Sequence, residues 1–129
     1  MKLDQEIIRD ILLEIESKGV GPDQTDAIQD FHHEKLTANE LSYYLWQLSD
    51  GGFIRTAEQV HDDETRRYDP CCLTYKGHEF VETIRDAQTW RQVKDAARKG
   101  GAASLDLLAT LAKAYVKKAV EDRTGLSLD

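Results

Sequence analysis

In the first eighteen positions Leu3, Ile7, Ile8, Ile11, Leu12 and Ile15 recur at helical spacing, with Asp4, Glu6, Arg9, Asp10, Glu14 and Glu16 among them. Steps of three and four residues put the apolar set on one side of a helix, so the pattern predicts an amphipathic first helix. Gly19, Gly21 and Pro22 stop it. From Asp23 to Lys35 no strong period is present, and the preferred reading is a short strand around Ala27-Ile28, with a single helical turn as the alternative.

The period returns behind a clear start signal. Thr37-Ala38-Asn39-Glu40 is a capping-box sequence, and Leu36 and Leu41 are placed to form the hydrophobic staple across it. On a helical wheel Leu41, Tyr44, Leu45 and Leu48 form an inner stripe, while Asn39, Tyr43, Trp46 and Asp50 face the other way. Gly51-Gly52 ends this helix. The chain then extends from Phe53, turns at Asp62-Asp63-Glu64-Thr65 beside Arg66 and Arg67, and extends again through Tyr68 to Leu73.

Leu73-Thr74 restarts a helix whose inner side is marked by Phe80, Val81, Ile84 and Ala87. Thr89-Trp90-Arg91-Gln92 repeats the capping-box pattern, which predicts a break near Gln88 and a new helix from Trp90. Gly100-Gly101 separates that helix from the last one. Ser104 caps the final helix, in which Leu108, Leu111, Ala112, Tyr115 and Ala119 share a face and which ends before Gly125. Helix, capped helix, two-stranded hairpin and helix is the order of a winged helix. The expected fold is therefore α+β: a winged helix with a two-stranded wing and additional C-terminal helices. It is expected as a single domain over residues 1–129, with helix, capped helix and wing in 1–74 and the C-terminal helices in 75–129.

Composition agrees with one domain, since 129 residues at 40% apolar content can bury one core. Charges interrupt the apolar positions throughout, so no run spans a bilayer, and the N-terminus lacks the pattern of a signal peptide. A soluble cytoplasmic protein with no membrane partner is expected. The net charge of −7 is unevenly spread. Residues 1–36 carry four basic and nine acidic side chains, and residues 37–54 have only Glu40 and Asp50. Residues 55–74 carry three basic and five acidic groups, and residues 75–129 ten basic and eight acidic. A polyanion would be met mainly by the C-terminal half.

Candidate chemistry is sparse. Cys71 and Cys72 are adjacent, and neighbours on a strand point to opposite faces, so one is expected to pack inward and the other outward as free thiols. His32-His33-Glu34 lacks a second spaced ligand cluster, and His78, one turn into a helix after Gly77, is expected to pack or cap against the hairpin. The sequence contains no Ser/His/Asp or Cys/His arrangement, glycine-rich phosphate loop or paired-carboxylate motif. The expectation is a protein that is not an enzyme and has neither metal nor cofactor.

Several of these segments resemble a bacterial and phage family, domain of unknown function family 2513. The resemblance is carried by Met1-Lys2-Leu3-Asp4 with Arg9-Asp10-Ile11-Leu12-Leu13, by Tyr43 onward to Gly52-Phe53-Ile54, and by Leu73-Thr74-Tyr75-Lys76-Gly77-His78-Glu79-Phe80. Ile84-Arg85-Asp86, Trp90 and Lys94 complete it, and Leu-Thr-x-x-Gly-His-x-Phe is its most specific piece. It implies a small winged-helix-like protein, often from prophage regions, with no catalytic residues to carry over. Tyr44, where histidine is common, and Trp46, where an aliphatic residue is common, depart from the family pattern.

Two functions follow as expectations. The first is a DNA-binding transcriptional regulator that meets double-stranded DNA through Asn39, Tyr43 and Gln47 on the capped helix, Arg66 and Arg67 on the wing, and Arg91, Lys94 and Arg98 on a later helix. Against it, the capped helix has no Lys or Arg, and Asp50 repels phosphate. The second is a protein-interaction module, a phage accessory or host-interfering protein, that uses Tyr43 and Trp46 together with Leu108 and Tyr115 of the final helix. That final helix also suits a homodimer. For Tyr43 and Trp46 the alternative to a partner is cover by the chain's own C-terminal helices.

Overall fold

The computed structural model describes residues 1–19, 27–60, 66–100 and 104–128, with the side chains of residues 58–60, 66 and 67 outside the description. The chain is α+β. Its elements in order are α1 (Gln5–Lys18), α2 (Ala38–Asp50), β1 (Ile54–Val60), β2 (Arg66–Leu73), α3 (Tyr75–Ile84), α4 (Ala87–Lys99) and α5 (Leu105–Thr124). They fall into two compact units, Met1–His78 and Glu79–Asp129.

In the first unit, α1 starts where the Asp4 carboxylate accepts the amides of Glu6 and Ile7, satisfying donors that the first turn leaves open. Its predicted stripe is the buried one: Ile7, Ile8, Ile11, Leu12 and Ile15. α2 begins with both bonds of the capping box, Glu40 N–H to Thr37 Oγ1 at 3.1 Å and Thr37 N–H to Glu40 Oε1 at 2.9 Å. Leu41, Tyr44, Leu45 and Leu48 are its buried residues, as the wheel predicts. The two helices are tied by the buried Tyr44, whose hydroxyl accepts the Asp4 amide at 2.7 Å.

The end of α2 is a Schellman motif. Gly52 sits at φ +84°, its amide donates to Ser49, and the Phe53 amide donates back to Leu48 at 2.9 Å, with Phe53 and Leu48 both buried. The left-handed backbone at Gly52 turns the chain directly from helix into β1. β1 and β2 pair antiparallel, and α1 and α2 both pack against β2. The predicted turn at 62–65 lies outside the described residues.

Three local expectations change here. Ala27 and Ile28 belong to no strand: the Ile28 amide makes a single bond to the Pro70 carbonyl at 2.8 Å, while Ala27 packs beside Cys71 and Cys72. The cysteines do not split between two faces, because both are buried. Arg55 pairs with Cys72 and Thr56 with Pro70, so Cys71 is an extra residue, a β-bulge that breaks the alternation. His78, expected to pack or cap against the hairpin, is exposed.

In the second unit α4 begins at Ala87 rather than Trp90. Asp86 is the N-cap, its carboxylate accepting from the Gln88 amide at 3.0 Å, and the Thr89 hydroxyl donates to the same carboxylate. Trp90 is buried with Val93 and Ala97 on the inner face of α4, so it belongs inside the helix and not at its start. α5 begins at the Ser104 cap, packs against α4 through buried Leu108 and Ala112, and ends at Gly125. No helix among the described residues is long and apolar enough to cross a membrane.

Candidate functional site

The outward face of α2 carries an aromatic cluster completed by the hairpin. Trp46 remains 49% exposed, yet its indole lies parallel to the Tyr68 ring of β2, with centroids 6.5 Å apart and planes 8° apart. Tyr43, one turn earlier, meets Trp46 edge to face at 6.1 Å and 79°. Offset-parallel and edge-on contacts are the arrangements that ring quadrupoles favour. The strand is held beside the helix by the Tyr68 amide donating to Ser42 Oγ at 3.3 Å. Of the two sequence alternatives, a partner or cover by the chain's own C-terminal helices, neither anticipates what covers part of the half-exposed Trp46, which is Tyr68.

Tyr68 is the member that sequence reasoning misses. Its place beside α2 depends on strand register, and no local pattern encodes that. The available signal is an aromatic residue on the strand that follows a helix with an aromatic outer face.

Among the described side chains, charge around this face is acidic or already committed. Asn39 and Asp50 are exposed and Gln47 half-buried, on a helix whose only charges are Glu40 and Asp50. Lys76 donates to the Gly51 carbonyl at 3.1 Å and lies 4.5 Å from the centre of the Phe53 ring, placing a cation at the C-terminal end of the α2 dipole. Arg55 points along the hairpin, donating to the Leu73 carbonyl at 3.2 Å. Arg66 and Arg67 lie on β2, and their side chains are outside the described residues.

The remaining predicted residues belong to the second unit. Arg91 is exposed, Arg98 approaches Asp95 at 3.6 Å, and Lys94 lies 5.4 Å from the centre of the Trp90 ring. Leu108 is fully buried, which removes it from any partner-contacting set, whereas Tyr115 is 38% exposed.

His33 has a structural place. Its Nδ1 accepts the Lys35 amide at 3.1 Å, which leaves the proton of the neutral ring on Nε2, 3.2 Å from Asp10 Oδ2. The ring therefore fixes the approach to α2 against α1. Among the described residues no cluster of three or more His, Cys, Asp or Glu side chains could hold a metal ion.

Fold and site together define a small α+β protein with an aromatic face built jointly by a helix and the hairpin after it. The chain belongs to the family described as Hypothetical protein (DUF2513), whose model matches residues 2–103. No curated protein and no solved structure matches it.

Proposed function

We propose that residues 1–78 form a winged-helix recognition module that docks a protein partner on the α2–β2 aromatic face. The observation that carries this reading is Trp46, which keeps half its surface in water while Tyr43 and Tyr68 fix its ring. Trp and Tyr are enriched in protein interfaces, and a ring already held in place loses little conformational freedom on binding. On this reading the chain is a non-enzymatic, cytoplasmic accessory or regulatory protein, in the phage or prophage setting that its sequence resemblance implies.

The test is site-specific photo-crosslinking in the cell of origin, with benzoylphenylalanine in place of Trp46 and, as a control, in place of Leu107 on α5. A protein adduct formed from position 46 and not from 107 is expected. Absence of a protein adduct at 46 would overturn the proposal.

Double-stranded DNA is the second reading, favoured by the element order of capped helix and hairpin and by exposed Asn39. Fold-level analogy is a weak warrant, and a recognition helix without a single Lys or Arg lacks the electrostatic footprint of a groove reader. A nucleic-acid adduct from position 46 would favour it. Homodimerisation through α5 would fall to exposed Leu107, Tyr115 and Val120, and sedimentation at two concentrations tests it.

A further inference from the structure

We infer that the segment seated on the aromatic face is basic, a peptide stretch presenting arginine or lysine to the rings of Tyr43, Trp46 and Tyr68. This rests on the docking reading above and adds the chemistry of the occupant. Residues 1–78 hold eight Lys and Arg against sixteen Asp and Glu, so the unit bearing the face attracts cations and repels polyanions.

The α2 part of the face has the same preference. α2 contributes no positive charge, and Asp50 is exposed one turn beyond Trp46 on the same side. Trp is the strongest of the aromatic cation acceptors, and its exposed half is the part an incoming guanidinium or ammonium would meet. This unit already holds one such contact within itself, Lys76 against Phe53. An arginine side chain on the partner fits both features, stacking its plane on a ring while its charge faces the Asp50 carboxylate. An acidic or purely apolar segment would leave Asp50 repelled or unanswered.

The experiment is calorimetric titration of the full chain at moderate salt with four probes. Three are eight-residue peptides that alternate glycine with arginine, with citrulline or with glutamate, and the fourth is a mixed-sequence DNA duplex. Saturable binding of the arginine peptide is expected, with citrulline about tenfold weaker and glutamate undetectable. Trp46→Ala should remove the binding, and Asp50→Asn should weaken it several-fold, with circular dichroism confirming that both variants are folded.

Equal binding of arginine and citrulline peptides would overturn the inference. So would arginine binding that survives Trp46→Ala unchanged, or saturable binding of the duplex in place of the peptide. A protein adduct at position 46 whose crosslinked segment lacks Lys and Arg would overturn the basic occupant while leaving the docking reading intact. Absence of any protein adduct there is the separate failure of the docking reading.

Discussion

The carbonyl oxygen of Phe53 occupies the space that a side chain on Gly77 would need. A Cβ built on Gly77 would overlap that oxygen and also come within 3.4 Å of Leu73 Cβ. The first turn of α3 therefore lies directly against the backbone joining α2 to β1, and only glycine permits the approach. Gly77→Ala should cost at least about 2 kcal/mol, because backbone and not a flexible side chain must give way. Gly100→Ala is the control: its nearest neighbour is 3.5 Å away and its φ is −84°, so urea denaturation should find it neutral or about 0.4–1 kcal/mol more stable.

Thr74 locks the same junction from the other side. Its hydroxyl donates to the Gly52 carbonyl and accepts the Gly77 amide at 3.0 Å, while its own amide donates to Phe53 at 3.0 Å. Thr74→Val keeps the shape and removes both hydroxyl bonds, so a loss of about 1–2 kcal/mol is expected. Thr74→Ser should recover most of it. Denaturant midpoints of the three proteins give the comparison.

These contacts explain which parts of the chain were legible in its sequence. Gly52-Phe53-Ile54 and Leu73-Thr74-x-x-Gly77, two of the pieces that carry the family resemblance, meet each other in space. The wheel of α2 was readable because its buried stripe depends on one helix period and a local cap. The cysteines were not, since the bulge that buries both is fixed by the pairing of Arg55 and Thr56 across the sheet. The start of α4 was ambiguous because Asp86 and Thr89 both carry capping chemistry, and burial of Trp90 decides between them. The aromatic face was half legible: Tyr43 and Trp46 follow from the wheel, while Tyr68 arrives only through strand register.

Tyr44 stands where the resemblance leads one to expect histidine, and its hydroxyl accepts the Asp4 amide at 2.7 Å, joining α2 to the cap of α1. Tyr44→Phe keeps the buried ring and removes only this bond. A loss of about 0.5–1.5 kcal/mol is expected, and because Asp4 is exposed, water can take over its amide and keep the loss at the lower end. Hydrogen exchange at the Asp4 amide should rise more than exchange in the middle of α1.

Cys71 and Cys72 are not joined in a disulfide and are buried against Ala27 and Ala57. A thiol shielded in this way reacts only when the structure opens. Alkylation by iodoacetamide should therefore be slow in the folded protein, and both cysteines should become labelled together as urea passes the unfolding midpoint. Rapid labelling of one cysteine in native buffer would contradict the bulged register.

The contact between Trp46 and Tyr68 separates stability from recognition. Trp46 is half-exposed, so truncating it removes ring contact without opening a cavity, and Trp46→Ala should leave the protein folded with a stability change of about 1 kcal/mol or less. Tyr68→Ala removes the same stacked pair from the strand side. A double-mutant cycle over the two positions should return a coupling of about 0.5–1.5 kcal/mol, the value of a favourable aromatic pair. If the pair holds Trp46 in place for binding, Tyr68→Ala should also weaken the arginine peptide while leaving Trp46 in the chain. Coupling near zero, with peptide affinity unchanged in Tyr68→Ala, would mean that the strand does not orient the indole and that α2 alone makes the face.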